Sequence, residues 1–331
     1  MPVLEASYRP IWPMRFGHIN TIFTAKGRKV DGPTYRRERV ETPDDDFLDL
    51  DWCYEGRDQL VIVLHGLEGS ADRAYVRGMM KHLGQNGWTG LGLNFRSCSG
   101  EMNRQLRVYH SGETNDLRWL LEQVHQRKQW KRIALVGFSL GGNVVLKYLG
   151  EQGKNLIPEL VAAAAISVPC DLVDSSKELN DRKANWVYLF RFMRSLNAKL
   201  KVKLAQFPGQ IQLPEGRMPR NFTEFDDCYT APFHGYESAM DYWTRASSVP
   251  TLDRIAIPTL LLNAKDDSFL SESCYPIEVA KSHSLFHLEM PEHGGHCGYW
   301  NGETTYAEQR AMEFIQQICR ESREHLSKGP A

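Results

Sequence analysis

The chain has 331 residues, 42% of them hydrophobic, and a formal charge of -1 from 40 Lys and Arg against 41 Asp and Glu. So balanced a charge leaves no electrostatic footprint for nucleic acid or a strongly acidic partner, and it favours small or neutral ligands. Seven cysteines without a C-x-x-C pair make a poor disulfide framework and suit a reducing compartment.

From the N-terminus, residues 1–24 mix Glu5, Arg9, Arg15 and prolines and lack the continuous apolar stretch of a secretory signal. Residues 41–54 are expected to add an antiparallel edge strand. Apolar runs at Leu60–Leu64, Leu91–Phe95, Ile133–Val136 and Val161–Ser167 read as buried parallel strands, and two more follow at Thr259–Asn263 and Leu285–Met290. Helix-like stretches at Ala74–Asn86, Asn115–Arg127 and Asn143–Glu151 lie between the early runs. This alternation predicts an α/β protein, a mostly parallel central sheet with helices on both faces. The longest apolar run, Leu160–Pro169, has ten residues, about half of what a bilayer crossing needs. A cytoplasmic protein without stable membrane insertion is expected.

The alternation breaks between Cys170 and about Ser248. There Trp186, Leu189, Phe190, Met193, Leu196 and Leu200 recur at helical spacing, and a Pro/Gly-rich stretch follows at 208–219. The expected organisation is a core formed by residues 1–170 and 249–331, with a helical cap insertion at 171–248 over the mouth of the site. The basic residues Arg191, Arg194, Lys199, Lys201 and Lys203 read as a solvated face rather than a lipid-binding patch.

The chemistry begins at Gly137-Phe138-Ser139-Leu140-Gly141, directly after the apolar run Ile133–Val136. A serine flanked by glycines at a strand-to-helix turn is a nucleophile-elbow pattern. The turn would lift the serine oxygen off the sheet and set it at the N-terminus of a helix, where free N–H groups meet developing negative charge. Serine is a weak nucleophile, so a histidine base and an orienting carboxylate are needed, in the order serine, acid, histidine. Asp266 and Asp267 follow the run Ile257–Leu262, at a strand end where sites in such sheets gather. His293 and His296 follow Leu285–Met290, and Gly294 and Gly295 bring His296 to the turn before the final helix.

An acyl carbonyl also needs N–H donors for its oxyanion. The backbone of Leu140 supplies one, and Leu67, in the loop His65-Gly66-Leu67-Glu68-Gly69, is best placed for the other. His65 is expected to shape that loop by hydrogen bonding. Ser111 and Thr114 in Tyr109-His110-Ser111-Gly112-Glu113-Thr114 read as helix caps. Arg96, Cys98 and Ser99 are expected to border the pocket, with Cys98 structural. Glu292, His293, His296 and Cys297 lack the spacing of a zinc site, so no metal is expected. With no G-x-G-x-x-G after the first strand and no G-x-x-x-x-G-K-[ST] loop, no cofactor is implied.

These residues resemble the YheT-like members of the AB-hydrolase superfamily, in its fourth family. The match runs from Gly17–Ile22 through His65-Gly66, Asn94–Gly100, Tyr109–Asp116 and Gly137–Asn143 to Asn263–Asp267 and Gly294-Gly295-His296. Asn20 departs from the glutamine expected of relatives, at no catalytic position. The resemblance implies an α/β-hydrolase fold and carries over Ser139, Asp267 and His296 as a triad. Aligning Leu260–Leu262 with the corresponding strand of other hydrolases puts Asp267 at the acid position and leaves Asp266 as a loop-capping carboxylate. The implied activity is hydrolysis of a small-molecule acyl ester through an acyl-enzyme, as a short- to medium-chain carboxylesterase or an acylglycerol lipase. An acyltransferase with the same triad, or a non-catalytic binding protein on the same fold, are the alternatives.

Overall fold

In the computed structural model, which describes residues 2–327 and side chains to residue 321, nine strands form one sheet. They are β1 (Val3–Leu4), β2 (Arg36–Thr42), β3 (Asp46–Cys53), β4 (Gln59–Leu64), β5 (Thr89–Asn94), β6 (Arg132–Phe138), β7 (Leu160–Ile166), β8 (Thr259–Leu262) and β9 (Phe286–Glu289). Their order is β1-β9-β8-β7-β6-β4-β5-β3-β2. Only the β5–β3 and β3–β2 pairs are antiparallel. All six expected apolar strands are present, shifted by one or two residues at their ends.

Strand geometry explains why continuous apolar runs form the centre. Successive side chains point to opposite faces, so Leu60, Ile62 and Leu64 enter one core while Val61 and Val63 enter the other. Helices α1 (Gly17–Ile22), α2 (Ala74–Gln85), α3 (Asn115–Arg127) and α4 (Leu140–Gln152) come before β7. Leu117 and Leu121 of α3 and Val144 and Val145 of α4 pack on the first face. Met79 and Leu83 of α2 pack on the second. Between β7 and β8 lie α5 (Leu172–Asp181), α6 (Trp186–Gln206), α7 (Phe222–Phe225), α8 (Ala231–Phe233) and α9 (Ala239–Ala246). Two helices follow, α10 (Ile277–Ser282) and α11 (Tyr306–Ser327), and Ala311, Met312 and Ile315 of α11 complete the second face. This is the α/β-hydrolase fold.

The structure changes several expectations, among them the solvated face of α6, since Lys203 is fully buried with Nζ donating to the carbonyls of Asn103 and Gln105. Residues 41–54 are not one edge strand but the turn and second arm of a hairpin. Its first arm, Arg36–Thr42, is masked in the sequence by charge, because an exposed edge strand carries charged side chains that block further pairing. Arg37 pairs with Asp51 and Arg39 with Asp49 across the two arms, both at 2.8 Å. Helix α4 starts at Leu140, three residues earlier than expected, immediately after the serine. The apolar stripe of α6 is divided: Leu189, Met193, Leu196 and Leu200 are buried, whereas Trp186 and Phe190 are exposed. Neither Cys98 nor Ser99 lines either cavity at the serine, and nor does Arg96. Arg96 is buried in an ion cluster with Asp44, Asp46 and Asp116 at 2.7–2.9 Å, which ties the β2–β3 turn to the start of α3.

Candidate active site

The turn from β6 into α4 holds Ser139 at φ 53° and ψ −120°, a conformation costly for a residue with a side chain. Its cause is local crowding. A Cβ on Gly137 would lie 2.4 Å from the carbonyl oxygen of Gly141, and one on Gly141 would lie 2.6 Å from the carbonyls of Leu64 and His65. Only glycine lets the helix approach the sheet so closely. The Ser139 N–H donates to the carbonyl of Ile166 on β7 at 2.8 Å, which pins the strained residue.

After β8 the chain turns tightly, with the Asp267 N–H donating to the Ala264 carbonyl, so both aspartates stand at the strand end. They face different partners. Asp267 is buried, and its Oδ2 accepts from Nδ1 of His296 at 2.8 Å while Oδ1 accepts the N–H of Phe269 at 3.0 Å. Asp266 instead accepts the N–H of Gly295 at 2.8 Å and lies 3.7 Å from His293. Gly295 has φ 56°, and a Cβ there would lie 2.2 Å from the Gly17 carbonyl. The neighbouring His296 N–H is held by Oγ1 of Thr21 at 2.8 Å. The N-terminal helix α1 therefore braces the histidine loop, a long-range role that no local pattern in the sequence carries.

Nε2 of His296 meets Oγ of Ser139 at 2.8 Å. With Nδ1–H directed to Asp267, Nε2 carries the lone pair that can accept the serine proton. The ring of Phe269 stacks on His296 at 4.1 Å and 26°. Burial disfavours a charge on this imidazole, but the Asp267 carboxylate outweighs it and raises the pKa well above the ordinary histidine value.

Gly66 comes within van der Waals range of Ser139, since a Cβ there would sit 3.1 Å from the serine Cβ. The N–H groups of Leu67 and Leu140 have no hydrogen-bond acceptor among the described residues, and Leu140 opens α4, where helix N–H groups are unpaired. Around them the Gly66 N–H donates to the Tyr75 hydroxyl and the Glu68 N–H to the Tyr109 hydroxyl. His65 accepts the Phe95 N–H at Nε2 and donates from Nδ1 to the Gly66 carbonyl, and burial lowers its pKa to about 3, so it stays neutral.

Glu68, at φ 54°, was not singled out from the sequence. Its carboxylate accepts from Tyr109 and from Lys199 of α6 at 2.8 Å, and also from Ser195 of α6. It thus links the loop of Leu67 to the helix above. Lys199 also lies 3.1 Å from Cys98, whose thiol burial pushes up to about 11. That keeps it protonated and unreactive at neutral pH. Ser111 and Thr114 do not cap α3 with their hydroxyls: Thr114 bonds Glu151 at 2.7 Å, and Glu113 instead accepts the Asn115 N–H.

Two cavities of about 980 and 1170 Å³ meet at Ser139 and share Leu67, Phe192, Phe269 and His296. The first runs between Leu172, Leu179, Leu196, Phe222, Phe225 and Trp243 and is largely apolar. Two buried acids, Glu68 and Asp226, stand at its lining, and Asp226 accepts from Nε1 of Trp243 at 2.8 Å and from Thr230 at 2.6 Å. Burial raises the pKa of Asp226 to about 7. The second cavity opens between α1 and α6 and carries Lys26, Arg73, Tyr188 and Arg191.

Glu292, His293, His296 and Cys297 do not converge: Glu292 pairs with Lys265, and His293 and His296 face different aspartates. Among the described residues, one trio, His110, Glu113 and His234, brings ligand atoms within 4.8 Å of one another. Its carboxylate is already engaged by Arg107 at 3.3 Å and by the Asn115 N–H.

A family model described as alpha/beta hydrolase fold matches residues 59–303. The chain is 37% identical over 307 residues to the candidate esterase YheT of Escherichia coli (strain K12), covering 90% of this chain and 88% of that one. It is 29% identical over 338 residues to Phospholipase ABHD3 of Homo sapiens, covering 98% and 82%. Among solved structures, the Pyrococcus furiosus esterase Pf2001 superposes with a TM-score of 0.57 at 19% identity, over 86% of this chain and 93% of that one, a likeness of fold.

Proposed function

The chain belongs to the alpha/beta-hydrolase family, and on that premise we propose that it is a serine hydrolase of carboxylic esters, a short- to medium-chain carboxylesterase or acylglycerol-lipase-like enzyme. One observation carries the reading: Ser139 Oγ, His296 and Asp267 form an unbroken hydrogen-bonded row with both links at 2.8 Å. In this scheme Nε2 of His296 takes the serine proton as Oγ attacks the ester carbonyl carbon, and Asp267 stabilises the imidazolium. The N–H groups of Leu140 and Leu67 receive the oxyanion, each worth about 10²–10³ in rate. Collapse breaks the bond to the alcohol oxygen, which takes the proton from Nε2. The acyl group stays on Ser139 until water, activated by the same imidazole, releases the acid. No step in this scheme calls for a cofactor.

The apolar cavity suits the acyl chain, and the second cavity suits the alcohol. Residues 171–248 act as the cap that sets acyl length, since Leu179, Leu196, Phe222 and Phe225 all come from that segment. The names esterase and phospholipase borne by the relatives support an acyl ester as substrate. A cytoplasmic setting is supported by the free thiols of Cys53, Cys98, Cys170, Cys228, Cys274 and Cys297.

The test is labelling with a fluorophosphonate followed by peptide mapping, then turnover of p-nitrophenyl esters of increasing acyl length. Modification at Ser139 and release of free acid are expected. Ester products in added ethanol, at the expense of free acid, would replace hydrolysis by acyl transfer. Neither labelling nor turnover would leave a binding protein.

A further inference from the structure

The apolar surface of this molecule is unevenly spread. Ten large hydrophobic side chains are exposed among the described residues, and eight of them fall in two short segments. Ile11, Trp12, Phe16, Ile19 and Ile22 lie on the N-terminal segment, with Trp12 70% exposed. Trp186, Val187 and Phe190 lie on the first turns of α6, with Trp186 64% exposed. Scattered single exposures need no explanation, but a concentrated apolar surface marks an interaction site.

The two segments meet. Nδ1 of His18 bonds the hydroxyl of Tyr188 at 3.1 Å and the rings stack. Both segments line the second cavity, through Thr21 and Ile22 on one side and Val187, Tyr188 and Arg191 on the other. The apolar surface thus flanks on two sides the cavity that leads to Ser139, with Ile22 and Val187 at its lining.

Its charge is one-sided. No Asp or Glu occurs from Ala6 to Val30 or from Arg182 to Pro214. Arg15, Lys26, Arg191 and Arg194 are exposed and have no carboxylate partner among the described residues. On α6, Trp186, Val187, Phe190, Arg191 and Arg194 fall on one exposed stripe, beside the buried face of Leu189, Met193, Leu196 and Leu200. Aromatic and aliphatic side chains mixed with unpaired cations, on helices lying flat, is the composition that settles into the headgroup layer of an anionic bilayer. No helix among the described residues is long and apolar enough to cross a membrane, so the contact would be peripheral.

We propose that this rim docks the protein on an anionic lipid surface, with the mouth above Ser139 facing the bilayer. Delivery of bilayer-borne esters rests on the esterase reading; the docking itself does not. It departs from the expectation that the basic residues of α6 are only a solvated face.

Co-sedimentation with phosphatidylcholine vesicles, with and without about a third phosphatidylglycerol, tests it. The Ser139→Ala variant should bind the anionic vesicles as the parent does, even if the esterase assignment fails. Each basic side chain at the surface should contribute about fivefold to partitioning, and added salt should weaken it. The variant carrying Trp12→Ser, Phe16→Ser, Trp186→Ser and Phe190→Ser should lose at least about tenfold in vesicle partitioning while keeping parental turnover of a water-soluble ester. Failure of the parent to bind anionic vesicles, or unchanged binding by the fourfold variant, overturns the proposal. So does a parental dimer in sedimentation that those substitutions dissociate, since a second copy would then occupy the surface.

Discussion

Ser139 sits in a conformation that its neighbours impose, and the consequences of changing it are chemical rather than structural. Ser139→Ala should lower kcat by about 10⁴–10⁶ with an unchanged melting curve, as steady-state kinetics beside circular dichroism would read. Asp267 and Asp266 are adjacent in sequence yet act on different groups, His296 in one case and the Gly295 N–H in the other. Asp267→Asn should cost about 10⁴ in kcat, whereas Asp266→Asn should cost no more than about tenfold. The pH profile follows with a definite sign. Asp267 raises the pKa of His296 against the effect of burial, and only the neutral imidazole is a base. kcat/KM should therefore rise with pH along a limb lying above the ordinary histidine value of about 6.5. In Asp267→Asn the carboxylate's share of that rise is gone while burial still opposes the charge, and the limb should move to lower pH. An unmoved limb would mean that another group titrates.

Among the elements, the segment from α5 to α9 was the least legible in the sequence. Periodicity identified an apolar stripe on α6 but could not say that Leu189 and Met193 turn inward while Trp186 and Phe190 turn out. Both pairs are apolar, and the difference lies in what packs opposite them. Nor does any pattern announce Asp226, whose surroundings come from Thr230 nearby and Trp243 on α9. Burial raises its pKa to about 7. A carboxyl whose folded pKa exceeds the unfolded value of about 3.9 contributes stability at low pH that is lost as pH rises through the folded value. Asp226→Asn should therefore raise the melting temperature at pH about 8 by several degrees and leave it nearly unchanged at pH about 4. Differential scanning calorimetry at both values decides it.

At the scale of the whole molecule, the N-terminal arm is tied to the other end of the chain. Arg28 and Glu308 of α11 are buried together, the second contact of the pair being 2.8 Å. Removing one partner strands the other charge, so Arg28→Ala should cost about 3–5 kcal/mol, measured as a lower urea midpoint at unchanged slope. The same arm braces His296 through Thr21, so function should fall with stability. The sequence alone determined the α/β alternation, the elbow at Ser139 and the strand-end positions of the acid and the histidine, because glycine punctuation and apolar runs are local signals. The charged first arm of the hairpin escaped it, since an edge strand needs no apolar pattern. Aligning the β8 run with other hydrolases already favours Asp267 over Asp266; only the tertiary structure decided how Glu68 joins the Leu67 loop to α6 and where two cavities meet. The link through Glu68 depends on segments more than a hundred residues apart arriving within a few ångströms of one another, and no local pattern encodes that distance.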